Sequence, residues 1–188
     1  MFKIENLKYK NILDIKNLEI RPNIVTTIVG KSGSGKTTLL KLLNKLISPE
    51  SGKVYYLGND LEQVDSIAHR RNVVMLSQTP VVFAGSVKDN LLIGLDFSEK
   101  PHPSDDKLIE VLHKVQLNLS LSADADKLSG GEKQRLSLGR ILLMNPEVYL
   151  LDEPSSALDK ETEGIVISTL YTHVKETNKT LIMVSHST

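Results

Sequence analysis

The stretch of sequence that decides the fold is Gly30-Lys31-Ser32-Gly33-Ser34-Gly35-Lys36-Thr37-Thr38. It fits the phosphate-loop pattern G-x-x-x-x-G-K-[ST]. Glycine accepts a positive φ and lets backbone amides come close to a ligand, and the helix that follows adds the positive end of its dipole. We therefore expect a phosphate-binding loop, with the Lys36 amine on the β- and γ-phosphates and the Thr37 hydroxyl on Mg²⁺.

The residues on both sides of the loop agree with this prediction. Ile24 to Val29 is a β-rich run, and leucines follow the loop at the i, i+3, i+4, i+7 spacing of one helix face (Leu39, Leu42, Leu43, Leu46). The spacing predicts a helix to about Ile47. The alternative is a flexible Gly/Ser-rich linker, which would lack both the strand and the helix.

Composition limits the remaining possibilities. The chain has 188 residues, with 23 basic and 23 acidic side chains and a formal net charge of zero, which does not favour a surface that coats nucleic acid. The absence of cysteine excludes disulfides and thiolate metal sites, and is typical of a reducing compartment. The N-terminus has no apolar run of a signal peptide, and no apolar run approaches 18 residues, so we expect no membrane span.

A second informative stretch runs from Leu128 to Arg135 and reads Leu-Ser-Gly-Gly-Glu-Lys-Gln-Arg. Ser129 and Glu132 have the spacing of a capping box, which predicts the start of a helix. Two glycines in a first helical turn cost about 1 kcal/mol each relative to alanine, so stability alone does not account for them. The stretch is therefore either a well-capped helix and nothing more, or a second anion site with close backbone approach.

A pair of carboxylates follows the most apolar run of the chain. Val148 to Leu151 has the pattern of a central parallel strand, and Asp152 and Glu153 come directly after it. At the carboxyl end of a strand, Asp152 can hold the Mg²⁺ shell and Glu153 can polarise the attacking water. The alternative is a charged turn that ends a strand, but the presence of the phosphate loop favours a role at a nucleotide site.

Three further candidate residues have only weak support from the sequence when each is considered alone. Gln78 follows the strand run Asn72 to Ser77, where open α/β sheets bind ligands, but by itself it is typical of a turn. His186 follows the predicted strand Thr180 to Val184 and could face a γ-phosphate. Tyr9 lies within Met1 to Ile20, whose alternating pattern predicts antiparallel strands, and its position alone indicates a strand aromatic.

Taken together, these residues resemble the nucleotide-binding domain of an ABC (ATP-binding cassette) ATPase, and the resemblance covers almost the whole chain. The motifs occur in the order of the family: Walker A at Gly30 to Thr37, the Q-loop glutamine at Gln78, the signature at Leu128 to Gln134, Walker B at Val148 to Asp152, the catalytic glutamate at Glu153, the D-loop at Ser156 to Asp159 and the switch histidine at His186. Tyr9 falls where the family stacks adenine, so the resemblance favours that role over a plain strand aromatic.

The resemblance implies a fold of the α/β class: a P-loop NTPase core with a mostly parallel sheet, an N-terminal antiparallel β subdomain and a small helical lobe at about residues 79–145. Residues 1–188 would form a single ABC ATPase domain. Three features depart from the family pattern: Asn23 replaces a usual glycine, Ser187 replaces a common aspartate, and the chain ends at Thr188, several tens of residues early. On this basis the C-terminal end is expected to be truncated.

The resemblance also implies a function. ATP and Mg²⁺ would be the cofactors, with Glu153, His186 and Gln78 catalytic and with Thr37, Gln78 and Asp152 around the metal. The nucleotide would contact Tyr9, all nine residues from Gly30 to Thr38 and Asp159. In a head-to-tail homodimer, Ser129, Gly130 and Gly131 would meet the γ-phosphate held by the other subunit.

Transport across a membrane is the process that the resemblance implies. The chain would be a cytoplasmic ATPase subunit, peripheral on the inner face of the cell membrane through a separate transmembrane permease, with no nucleic acid as a partner. The region from Gln78 to Asn90 resembles the exporter type, and the short lobe is similar to small subunits linked to metal (iron) export. Two alternatives stay open: a soluble ABC ATPase that acts on ribosomes or DNA, and a non-hydrolysing module that senses ATP.

Overall fold

The computed structural model describes residues 1–185, which form two four-stranded sheets and six α-helices. The strands are β1 (Phe2–Tyr9), β2 (Leu13–Ile20), β3 (Val25–Val29), β4 (Ser51–Tyr56), β5 (Asn59–Asp60), β6 (Val73–Leu76), β7 (Val148–Asp152) and β8 (Thr180–Ser185). The helices are α1 (Lys36–Leu43), α2 (Ser66–Asn72), α3 (Val87–Phe97), α4 (Asp105–Lys114), α5 (Gly130–Met144) and α6 (Lys160–Glu176). None of these helices is both long and apolar enough to cross a membrane.

The N-terminal sheet is antiparallel, in the order β2-β1-β4-β5, which confirms the predicted subdomain. Its apolar alternation shifts by one residue, from Phe2 and Ile4 to Leu7, because a bulge interrupts the pairing of β1 with β4. Asn59 and Asp60 pair with β4 as a short strand. The turn between β4 and β5 lies at Leu57 and Gly58, which both have positive φ.

The second sheet is entirely parallel, in the order β3-β8-β7-β6. All five residues of β7 are buried, as expected of a central strand. Since every strand runs in the same direction, the segments after β3, β6 and β7 emerge at one edge. These segments carry the phosphate loop, Gln78 and Glu153, so the sheet topology gathers the predicted site.

Two apolar clusters cover the opposite faces of the parallel sheet. Tyr149 and Leu151 point into the cluster formed with α3, α4, α5 and α6. Val148 and Leu150 point into the other cluster, which contains α1 and the buried residues of the antiparallel sheet. The period-2 alternation of β7 therefore contributes residues of one strand to both clusters.

The structure corrects the predicted end of one helix and contains a helix that was not predicted. Helix α1 ends at Leu43, four residues before the predicted end, because Lys45 adopts φ 57° and the Leu46 amide bonds back to the Lys41 carbonyl. Leu46, which completed the apolar spacing, is 52% exposed. Helix α2 was not predicted, because its residues are mostly polar and only His69 among them is buried.

The close approach of Gly52 to the bulge of β1 predicts how strongly an added side chain would destabilise the antiparallel sheet. Gly52 has φ 82°, and a Cβ there would lie 2.3 Å from the Asn6 carbonyl oxygen, whereas Gly58 has φ 85° and open space around it. Gly58→Ala should therefore lose only about 1 kcal/mol of unfolding free energy, from backbone strain, and Gly52→Ala about 3 kcal/mol, since it adds a clash. Urea denaturation measures both losses, and equal losses would contradict this account of the bulge.

Candidate functional site

The phosphate loop follows β3 and has the backbone that its glycines predict. Gly33 and Gly35 have φ values of 76° and 88°. Gly35 is the N-cap of α1 and offers no side chain to the first-turn amides, so these donors are left for a ligand. The Lys36 amine donates to the carbonyl oxygens of Gly30 (2.7 Å) and Lys31 (3.0 Å), which holds its charge inside the loop.

The phosphate loop is packed against the β1–β2 hairpin. A Cβ on Gly35 would lie 2.6 Å from Leu13 Cδ2, and the φ of 88° at this position also favours glycine. Leu13 is the cross-strand partner of Tyr9, whose half-buried ring has the Lys10 amine 5.4 Å from its centroid. The hairpin therefore brings Tyr9 to the neighbourhood of the loop, as the predicted contact with a base requires.

Thr37 and Asp152 meet across the start of α1 and the end of β7. The Thr37 hydroxyl donates to Asp152 Oδ1 at 3.1 Å, and Asp152 is 3% exposed. Burial raises the pKa of the Asp152 carboxyl, which the Thr37 hydrogen bond partly opposes and the neighbouring Glu153 reinforces. A hydroxyl and a carboxylate at one point are the hard oxygen ligands that Mg²⁺ takes in phosphate-loop proteins, so these residues fit that ion.

Gln78 and Glu153 are brought together from the ends of β6 and β7. Gln78 Nε2 donates to Glu153 Oε2 at 2.6 Å. The backbone of Glu153 has φ 50°, and its amide donates to the Val184 carbonyl of β8 at 3.1 Å. The two residues that were predicted as catalytic partners therefore share one hydrogen bond, while His186, the third, lies outside the described residues.

The predicted second anion site begins at the N-terminus of α5, where both halves of the capping box are formed. The Ser129 hydroxyl and amide donate to Glu132 Oε2 at 2.7 and 2.8 Å, and these bonds lower the pKa of Glu132. A Cβ on Gly130 would meet open space, whereas one on Gly131 would lie 3.1 Å from the Ala157 carbonyl oxygen. This end of α5 is thus exposed on one side and packed on the turn after Glu153 on the other.

Asp159, predicted to contact nucleotide, is the N-cap of α6 in this structure. Its carboxylate accepts from the amides of Glu161 and Thr162 at 3.1 and 3.0 Å, and from the Thr162 hydroxyl at 2.7 Å. These donors lower the pKa of Asp159. A contact between Asp159 and nucleotide stays a prediction.

Sequence reasoning assigned no role of its own to two polar residues on α5, of which Gln134 was named only as the end of the signature. The side chain of Gln134 is fully buried and donates to the Pro154 carbonyl at 3.1 Å. Arg140 holds the loop after Gln78, because its guanidinium donates to the carbonyls of Val81 (2.9 Å) and Asn90 (2.6 Å), and burial lowers its pKa to about 10. The available signal was a polar residue on an otherwise apolar helix face, which indicates a buried partner but does not identify it.

Comparison with known proteins is consistent with this geometry. A family model described as "ABC transporter" matches residues 13–156. The chain is 38% identical to ABC transporter I family member 17 of Arabidopsis thaliana, over 94% of this chain and 67% of that protein. It is 39% identical to the lactococcin-A transport/processing ATP-binding protein LcnC of Lactococcus lactis subsp. lactis, over 94% of this chain and 25% of that protein.

Solved structures give the same result. A bacterial Atm1-family ABC exporter with ATP bound superposes with a TM-score of 0.88 at 26% identity, covering 98% of this chain and 34% of that one. The dimeric post-hydrolysis state of the ATP-binding cassette MJ0796, bound to ADP and Pi, gives a TM-score of 0.87 at 28% identity, covering 100% and 88%. The chain spans only 14 to 25% of the length of several curated relatives that it matches.

The buried carboxyl of Asp152 predicts a conflict between stability and ligand binding. A pKa raised by folding means that the ionised form disfavours the folded state, at any pH above the folded pKa. Asp152→Asn should therefore raise the unfolding midpoint at pH 8, on the order of 2–4 °C, and this gain should shrink as the pH falls through the folded pKa. Thermal unfolding across pH measures it. The exposed Asp126→Asn is the control, and a lower midpoint for Asp152→Asn at pH 8 would contradict the prediction.

Proposed function

Because the chain belongs to the ABC transporter family, we propose that it binds ATP with Mg²⁺ and hydrolyses the nucleotide to drive transport across a membrane. The observation that carries the proposal is the meeting of Lys36, Thr37, Gln78, Asp152 and Glu153 at one edge of the parallel sheet. Each of these side chains supplies a distinct part of phosphoryl transfer to water.

Nucleotide binding uses the phosphate loop and the β1–β2 hairpin. The free amides at the start of α1 face the phosphates, and the Lys36 amine exchanges its carbonyl partners for phosphate oxygens of greater negative charge. The ring of Tyr9 stacks on adenine. Thr37 and Asp152 would hold Mg²⁺, which supplies positive charge to the phosphates.

Hydrolysis uses the carboxylate of Glu153 as the group that orients water and receives its proton. The water oxygen bonds to the γ-phosphorus, the bond to the β-phosphate oxygen breaks, and ADP and phosphate are released. Gln78 covers one oxygen of this carboxylate. Gln78 must therefore move when water and nucleotide enter, and His186 is expected to contact the γ-phosphate.

The complete site requires a second copy of the chain. Gly130 has open space beside it, and the two glycines leave the backbone of the α5 N-terminus accessible to an anion. We assign Ser129, Gly130 and Gly131 to the γ-phosphate held by the partner's phosphate loop, in a head-to-tail dimer. The dimeric state of the MJ0796 cassette supports dimer formation.

The membrane partner is assigned to an apolar surface beside β6, which we call the docking groove and define by Ile67, Met75, Val81, Phe83 and Phe97. Four of these side chains are exposed by 37 to 63%, and the rings of Phe83 and Phe97 lie 6.3 Å apart. Clustered exposed aromatic and aliphatic side chains are typical of a protein interface. We propose that a cytoplasmic segment of a membrane-spanning permease occupies the groove, which would place this chain at the inner face of the membrane. Metal export as the substrate class stays a prediction.

The dimer predicts a specific behaviour of Glu153→Gln. Without the carboxylate the variant should bind ATP and hardly hydrolyse it, with turnover lower by about 100-fold or more, since general-base catalysis contributes 10²- to 10⁴-fold. The closed dimer should then accumulate. Light scattering should show a shift from monomer to dimer on addition of ATP, and turnover near that of the unmodified chain would remove Glu153 from its assigned role.

A second substitution in the Glu153→Gln background is the control for this experiment. Gly131→Asp places a carboxylate where the γ-phosphate is expected, so dimer formation should be lost through charge repulsion. Gly131→Ala adds the same Cβ near Ala157 without the charge. If alanine and aspartate abolish the dimer equally, the effect is steric and the assignment of the signature to the γ-phosphate fails.

The docking groove predicts how the chain associates with membranes in cells that express it natively. Phe97→Ser should lower the membrane-bound fraction severalfold, because a buried aromatic anchor contributes about 2 kcal/mol to an interface. Ile165→Ser on α6, which removes a side chain of 40% exposure, is the matched control. Equal fractions for the two variants would contradict the docking groove, and sedimentation of the chain with ribosomes would favour the soluble alternative.

A further inference from the structure

Gln134 connects the signature end of α5 to the residue that follows Glu153. The side chain is 0% exposed, and its Nε2 donates to the Pro154 carbonyl oxygen at 3.1 Å. A carbonyl oxygen only accepts hydrogen bonds, so this contact defines which end of the Gln134 amide faces Pro154. The contact joins residues that lie 20 positions apart in the chain.

The same turn touches α5 at a second point. Gly131, three residues before Gln134, comes close enough to the turn 154–158 that a Cβ would lie 3.1 Å from the Ala157 carbonyl oxygen. The turn itself is held by two backbone hydrogen bonds, from Ser156 to Glu153 (3.1 Å) and from Leu158 to Ser155 (2.9 Å). The α5 N-terminus is therefore connected to Glu153 through a turn that is held by its own hydrogen bonds.

Stability of the fold does not account for glutamine at this position. Within residues 1–185, the buried Oε1 of Gln134 has no hydrogen-bond partner. A buried acceptor without a donor destabilises the fold, and methionine would fill a similar volume without that loss. The amide is therefore better explained by what its Nε2–H holds than by core packing.

We propose that Gln134 is a positioning residue that couples the two nucleotide sites of the dimer. This inference rests on the proposed head-to-tail dimer. The signature of one subunit contacts the nucleotide bound by its partner, and Gln134 relates the position of that signature to Glu153 of its own subunit, which acts on the other nucleotide. Most contacts to the nucleotide come from the phosphate loop and Tyr9, so the link through Gln134 should affect the rate of hydrolysis more than nucleotide affinity.

Gln134→Met tests the coupling, because it keeps the volume and removes the donor. We expect kcat for ATP hydrolysis to fall about three- to tenfold, the range that corresponds to one lost hydrogen bond. KM should stay within about twofold, and the unfolding midpoint should change by only a few degrees. Gln63→Met is the matched control, since Gln63 is exposed and ends a short 3₁₀ turn.

Gln134→Glu provides a readout that a purely structural role would not produce. In this buried position the pKa of the new carboxyl should be raised, and its protonated form can donate to the Pro154 carbonyl as the amide does. The ratio of its kcat to that of the unmodified chain should therefore be highest at low pH and fall as the pH rises through the pKa of the carboxyl. For Gln134→Met the same ratio should not vary with pH.

The outcomes separate this inference from the function on which it rests. If Glu153→Gln forms no ATP-dependent dimer, the proposed function fails, and the coupling fails with it. If that dimer forms but Gln134→Met retains the original kcat, only the coupling is overturned. It is also overturned if kcat in both Gln134 variants falls in proportion to the unfolding midpoint, or if the kcat ratio of Gln134→Glu is flat across pH.

Discussion

The parallel pairing of β7 with β6 and β8 is the constraint on which the rest of the structure depends. β7 is buried along its whole length, so its backbone amides and carbonyls must all be paired, and its register cannot slip without leaving some of them unsatisfied. That register sets Asp152 opposite Val184, and Val29 opposite Ser185 on the far side of β8. The phosphate loop and the carboxylates therefore meet at a common height above the sheet.

Side-chain hydrogen bonds then connect segments that the sheet only brings near one another. Thr37 ties α1 to the end of β7, Gln78 ties the segment after β6 to Glu153, and Gln134 ties α5 to the residue after Glu153. Each bond is modest in free energy, but all three end on three consecutive residues, Asp152, Glu153 and Pro154. A ligand that moves Asp152 or Glu153 would therefore affect three separate segments of the chain: α1, the segment after β6, and α5.

The structural features that could be predicted were those specified by residues close together in the sequence. The phosphate loop and the capping box at Ser129 involve residues close in sequence, and the apolar run of β7 is continuous, so pattern and geometry agree. The predicted end of α1 was wrong because Leu46 continues the apolar spacing, although the backbone of Lys45 is no longer helical. Contacts such as that of Arg140 with Val81 span 59 positions, and no local pattern specifies which distant carbonyl a buried cation will find.

The backbone of Glu153 adds a consequence for how such chains change over generations. Its φ of 50° lies in a region that glycine occupies without cost and that most other residues enter only at a cost of about 1 kcal/mol. Glu153→Gly would relieve this strain while it removes the carboxylate. At this position, a substitution that increases stability would therefore also remove activity. Only selection for turnover would oppose it, so an idle copy of the gene would be expected to lose this glutamate early.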